Sequence, residues 1–157
     1  MRKSNTLIIA EAGVNHNGSL EMALDLVNRA HRAGTDLVKF QTFDAAKLAT
    51  AAAPKAAYQS RQTDSAESQL AMLRRLQLSQ SDHVALIEHC TRLGIGFLST
   101  PFGPGSLRLL IREFGMSRIK LGSGELTNGP LLLDAGREDV EVILSTGMGT
   151  LAEVEEA

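Results

Sequence analysis

An α/β fold with a parallel sheet is the class this sequence predicts, and three observations predict it. Short apolar runs alternate with longer stretches whose apolar residues recur at helical spacing. The runs themselves are largely apolar, as expected of strands covered by helices on both faces. Glycines and turn-prone residues separate run from helix within a few residues, the usual length of such connections.

TLIIAE (residues 6–11) is the first strand, closed by Gly13 and the turn-prone NHNG, after which Ser19 caps a helix over residues 20–32. Gly34 stops that helix, and DLVKF (36–40) follows as the second strand, which completes a βαβ unit. Residues 42–69 break the pattern with alanines, Pro54, Tyr58 and mixed polar residues. That stretch is too long for a plain connector, and loops of such length usually carry function. Regularity resumes over residues 70–76. Ser79 then caps a helix over 82–93, where Val84, Leu86, Ile87 and Leu93 form an apolar face that Gly94 ends. IGFLS (95–99) is a third strand, 106–114 a helix, 118–121 a fourth strand, 130–135 a helix and VEVILS (140–145) a fifth strand; Thr150 opens a last helix.

A doubly wound sheet and a (β/α)8 barrel both produce this alternation. The residues that close the strands favour the barrel: Glu11, then Lys39 and Gln41, then Ser99 and Thr100, then Lys120 and Ser123, then Ser145 and Thr146. A barrel brings all these ends to one mouth, whereas a doubly wound sheet gathers its site at a single switch point. The expectation is a partial (β/α)8 TIM barrel of about five βα units, with residues 1–157 as its N-terminal part. A complete barrel takes roughly 250 residues and eight strands, so this reading has the chain end mid-fold. Its apolar interior and two unpaired edge strands would favour self-association.

Composition narrows the function. Sixteen basic and eighteen acidic residues are scattered along the chain, with a net charge of -2, and form no stripe to bind nucleic acid or an anionic membrane. Hydrophobic residues make up 43%, the proportion of a soluble globular domain. The apolar run at residues 7–10 is interrupted by Glu11 and too short for a signal or a membrane span, which points to the cytoplasm. Cys90, the sole cysteine, excludes an internal disulfide and a multi-cysteine zinc site, and is expected to sit quietly on a helix. Asn17-Gly18-Ser19 matches a glycosylation acceptor in form but reads as a turn.

Strand alternation puts Lys39 and Gln41 on one face with Phe40 on the other, so both polar residues enter the mouth. A lysine inside an apolar strand needs a negative partner, which is either a protein carboxylate or an anionic ligand. Lys120 poses the same question on the fourth strand, where LGSGE adds two glycines and the Ser123 hydroxyl, a combination suited to phosphate. Ser145-Thr146-Gly147 repeats it after the fifth strand; the alternative for each serine is a helix cap. Two lysines and two hydroxyl sites at one mouth suit a ligand with both phosphate and carboxylate. Glu11 is placed to orient a hydroxyl or act as a general base, or else is a solvated loop acid. His16 reads as a turn residue, His31, His83 and His89 as peripheral helix residues, and no metal-ligand spacing is visible.

AEAGVNHNG, VKFQTF, FLSTPF, KLGSGELTN and ILSTGMGTLAEVEEA resemble, in order and spacing, the bacterial N-acetylneuraminate (sialic acid) synthase family, which includes the legionaminate and pseudaminate synthases. APKAAYQ and MLRRLQLS extend the resemblance over nearly the whole chain. It implies a condensation dependent on a divalent metal, Mn2+ or Mg2+. Carbon 3 of phosphoenolpyruvate attacks the aldehyde of an N-acetylated amino sugar such as N-acetylmannosamine, water attacks carbon 2, and phosphate leaves, giving a nine-carbon 2-keto acid. By family motif Lys39, Lys120, Ser123 and Ser145 hold phosphoenolpyruvate, Gln41 and Glu11 face the sugar with Glu11 the candidate base, and Thr100 lies at the same mouth. Gly103 after STPF departs from the family's usual acidic residue. The family's metal-binding histidines lie on later strands, and its C-terminal antifreeze-like domain caps the partner's site in a homodimer; neither is in this sequence, which is expected to be inactive alone. The alternatives are another phosphoenolpyruvate-dependent synthase of a 2-keto sugar acid, against which NHNG and APKAAYQ count, and a non-catalytic half-barrel that only binds anions.

Overall fold

The computed structural model describes residues 6–50 and 68–157; APKAAYQ lies outside the described residues. Strand β1 (Ile9–Gly13) leads through NHNG into α1 (Leu20–Arg32), whose N-terminus is closed by the Ser19 hydroxyl accepting from the Met22 N–H at 3.2 Å. β2 (Leu37–Thr42) is followed by a single turn, α2 (Ala45–Leu48), capped by Asp44. The chain is described again at α3 (Gln69–Leu76) and α4 (Gln80–Leu93). In α4, Ser79 and Asp82 cap each other reciprocally at the N-terminus, and Gly94 ends the helix at φ 71°. β3 (Gly96–Pro101) precedes α5 (Pro104–Arg108), which runs on as a wider π turn over Leu109–Glu113. β4 (Arg118–Leu121), a 3-10 turn at Ser123–Glu125, α6 (Gly129–Gly136), β5 (Glu141–Leu144) and α7 (Leu151–Glu156) complete the order.

All pairings are parallel. β1, β2 and β3 form one hydrogen-bonded sheet in chain order and β4 pairs with β5, while β3 packs beside β4. The described strands therefore succeed one another without the reversal that defines a doubly wound sheet. Val38 and Phe40 face outward and are fully buried against Ala23 and Val27 of α1 and Leu86 and Cys90 of α4. Ile119 and Leu121 do the same against Leu107 and Leu131. The alternate residues, Lys39 and Gln41 on β2 and Lys120 on β4, are left for the opposite face.

The first strand starts later than the apolar run suggests, because Leu7 and Ile8 stay exposed at its entrance. It also continues past Glu11 through a bulge, so that Gly13 at φ 54° lies opposite Phe40. β5 departs from the expectation of a strand buried on both faces, since Glu141 and Val142 at this outer strand are exposed. In NHNG, Gly18 adopts φ 80°, and a side chain there would collide with the Arg75 carbonyl. The turn therefore rests directly on the backbone of α3. Among the described residues no helix is long and apolar enough to cross a membrane.

Candidate active site

Lys39 meets a protein carboxylate. Parallel register sets it beside Glu11, and its Nζ lies 2.6 Å from Glu11 Oε2. On the other flank Nζ donates to Thr100 Oγ1 at 3.5 Å. Lys39 is 7% exposed and Thr100 2%, whereas the Glu11 side chain is 57% exposed, so the pair leads from the strand layer out to solvent. Gly13 makes room for this arrangement: a Cβ there would stand 3.1 Å from Glu11 Oε1 and 3.9 Å from Gln41 Nε2. Glu11, Lys39, Gln41 and Thr100 thus converge across three strand ends.

Lys120 joins them electrostatically. Its ammonium titrates below the ordinary lysine value, first because burial strips it of water and then because Lys39 repels it, with Glu11 acting the other way. Glu11 is thus the ion-pair partner of Lys39, while Lys120 has no ion pair of its own among the described residues. Ser123 opens the 3-10 turn immediately beyond β4, and Ser145 follows β5, its N–H donating to the Leu121 carbonyl at 3.1 Å. Both serines stand at the same strand ends as the lysines. Among the described residues no hydrogen bond joins either serine hydroxyl to Glu11, Lys39, Gln41 or Thr100.

Behind the strands lies a polar network that the sequence reading missed. His83, read there as peripheral, is 2% exposed and sits under the ends of β2 and β3. Its Nδ1 is 2.8 Å from the Ser79 carbonyl, which can only accept, so the proton is on Nδ1. Nε2 must then accept from the Thr42 hydroxyl at 2.9 Å, and Thr42 Oγ1 in turn accepts from the Ser99 hydroxyl at 2.7 Å. The Phe114 ring stacks on the imidazole at 5.9 Å. Helical periodicity marks His83 only as one position on a half-apolar face, which is why its depth was not legible. His16 is also buried, at 1% exposure; its Nδ1 accepts from the Gly18 N–H at 3.0 Å, and Nε2 meets no partner at full hydrogen-bond geometry among the described residues. His89 joins α4 to Asn28 of α1 at 2.8 Å. Cys90 is buried on α4, and burial pushes its thiol up to about 11, so it is inert at neutral pH.

Burial holds both His16 and His83 below the ordinary histidine value, and for His16 the neighbouring His83 adds to the effect. An unfolded chain takes up these protons near pH 6.5 while the folded one does not. Stability is therefore expected to be full above that pH and to fall as pH drops below it, until the folded-state values are passed. Urea midpoints at pH 7.5 and 5.5 check this: a lower midpoint at pH 5.5 is expected, and an equal or higher one contradicts it.

Comparison with known proteins places the chain. A profile of the NeuB family matches residues 26–157. The chain belongs to the NeuB family. The N,N'-diacetyllegionaminic acid synthase of Campylobacter jejuni is 48% identical over 152 residues, which cover 97% of this chain and 45% of that protein. The enzyme of the same name from Legionella pneumophila is 46% identical, covering 94% of this chain and 41% of that protein. A crystal structure of the N-acetylneuraminic acid (sialic acid) synthetase of Leptospira borgpetersenii matches with a TM-score of 0.79 at 26% identity, over 98% of this chain and 49% of that one. The family resemblance carried by the motifs holds, and the α/β architecture with parallel sheets is that of a sialic acid synthase structure. The chain spans less than half the length of these curated relatives.

NeuB-family membership does not supply a metal site within the described residues. No three of their His, Cys, Asp and Glu side chains converge. Both nitrogens of His83 are engaged, and Glu11 Oε2 is paired with Lys39. The divalent ion implied by the resemblance does not fit these side chains alone, and no chemical step is routed through it below.

Proposed function

We propose that this chain supplies five βα units of a (β/α)8 barrel that condenses phosphoenolpyruvate with an N-acetylated amino sugar, giving a nine-carbon 2-keto acid and phosphate. The observation that carries this reading is the surplus cation: Lys39 is paired with Glu11, whereas Lys120, repelled by Lys39, has no ion pair among the described residues. An anion bound between the lysines relieves both the repulsion and the desolvation. Phosphoenolpyruvate brings a phosphate and a carboxylate to that position, and the Ser123 and Ser145 hydroxyls give them direction. Gln41 and Glu11 face the sugar, where Glu11 orients a hydroxyl and is the candidate base. Thr100 steadies the Lys39 ammonium.

The barrel is supported by what lies on the outer strands. Between β1 and α1 runs a recess of about 260 Å³ whose lining is mainly apolar, from Ala10, Ala12, Leu26 and Val38, with Glu11 and Arg29 beside them. At the other end Val142, Leu133 and Leu151 are exposed. The relatives are more than twice as long as this chain, and the full reaction is assigned here to a protein of that length. The legionaminic acid synthases among the relatives favour a diacetylated amino sugar over N-acetylmannosamine as acceptor. Calorimetric titration with phosphoenolpyruvate tests the carrying observation: saturable binding to one site, weakened by competing inorganic phosphate, is expected, and a titration that shows no saturable binding, or binding that phosphate leaves unchanged, removes the reading.

A further inference from the structure

The His83 network stands directly behind the mouth. Register pairs Phe40 with Ser99 and Gln41 with Thr100, so the Thr42–Ser99 hydroxyl bond lies on the outward face, one residue from each of the two mouth residues. Thr42, Ser99 and His83 are all buried, at 3%, 1% and 2% exposure. Every hydrogen in the chain has a fixed direction, from Ser99 to Thr42, to His83 Nε2, and from His83 Nδ1 to the Ser79 carbonyl. That order requires a neutral imidazole; a second proton on Nε2 would turn it from acceptor to donor and reverse the bonds beyond it.

We propose that His83 is a positioning residue for the mouth: as a neutral acceptor it anchors the Thr42–Ser99 tie, and protonation of His83 loosens the ends of β2 and β3 that carry Gln41 and Thr100. For its ligand this inference rests on the phosphoenolpyruvate reading. Thr100 holds Lys39 Nζ at 3.5 Å, so a shift of the β3 end moves the partner of the buried lysine. The rings packed against it, Phe114 stacked at 5.9 Å and Phe97 edge-on at 6.4 Å, carry no lone pair to accept a second ring proton, which leaves the Thr42 hydroxyl to turn round. The ionisable groups around it are Asp82 on its own helix, His16 from the β1–α1 turn, Asp44 capping α2 and Lys47 within it, Arg108 of α5 and Glu113 of the π turn that follows. Asp82 favours the charged ring and desolvation outweighs it. The carboxylate of Asp44 is held by Lys47 at 3.3 Å and by the Ala46 N–H.

Nuclear magnetic resonance on the 157-residue chain tests the claim. The His83 ring is expected to be protonated on Nδ1, and the amide resonances of Gln41 and Thr100 to titrate with the same midpoint as that ring. In His83→Gln, which keeps an acceptor and loses the titration, that midpoint disappears from both amides. In Thr42→Val, a smaller change that removes only the hydroxyl, His83 still titrates and the amides no longer follow. Phosphoenolpyruvate affinity in the unmodified chain is expected to fall with acid more steeply than in His83→Gln, by up to about tenfold per pH unit below the midpoint, the limit for one linked proton. A ring protonated on Nε2, amides that ignore the His83 titration, or identical pH profiles for the two chains would overturn the proposal. Absence of phosphoenolpyruvate binding at every pH would sink the functional reading instead, and the amide titration would still decide the role of His83.

Discussion

Lys39→Met is expected to weaken phosphoenolpyruvate binding by about 10- to 150-fold. A hydrogen bond to a charged group contributes roughly 1.5–3 kcal/mol, and each 1.4 kcal/mol is a tenfold change in affinity. Methionine keeps the apolar stem inside β2 and removes only the ammonium, so the packing around Val38 and Phe40 is retained. Glu11 loses its partner, but its side chain is 57% exposed and water can take the place of the lysine. The cost to folding is therefore expected to stay under about 1 kcal/mol, the range of exposed ion pairs. A dissociation constant from calorimetry, paired with a urea midpoint, separates the two effects. Unchanged affinity would take Lys39 out of the binding site and leave the Glu11 pair as a structural contact.

Phe40→Ala is expected to be the most destabilising single change in the described core, at about 3–5 kcal/mol. Phe40 is fully buried, stacks on Phe97 with ring centroids 5.7 Å apart, and lies 6.1 Å from the His16 ring. It sits between Lys39 and Gln41 and fills the space between β2 and the two covering helices, so truncation opens a cavity that the flanking strands cannot close without moving those residues. For a domain whose total stability is on the order of 5–15 kcal/mol, such a loss takes away a large share. Urea denaturation of the variant measures it, and a loss below about 1 kcal/mol would mean that the core around Phe40 is not packed as described.

The covering helices were the most legible part of the fold. The Ser19 cap and the periodic apolar face fixed α1 at residues 20–32, and the Ser79 and Gly94 signals bracket α4. Both signals are local, and nothing tertiary competes with them. The strands were legible as runs but not at their ends, because Leu7 and Ile8 are as apolar as the residues that follow, and only packing excludes them from β1. α2 was invisible in the irregular stretch, since a four-residue turn is too short to show a period. At the site, the alternation of Lys39, Phe40 and Gln41 gave the face of each residue correctly. What alternation could not give was the partner of Lys39: a carboxylate and an anionic ligand satisfy the same requirement, and choosing between them takes the β1–β2 register. The depth of His83 was hidden for a related reason, because the Thr42 hydroxyl that its Nε2 meets is 41 residues away in sequence.

Phosphate release from phosphoenolpyruvate, measured with an N-acetylated or diacetylated amino sugar and manganese, tests the central claim most directly when this chain is compared with one extended to the length of its relatives. Sugar-dependent release is expected from the extended chain and none from the 157 residues alone. Release by the 157 residues would contradict the claim that they form only part of the mouth, and an extended chain that releases no phosphate with either sugar would contradict the condensation itself.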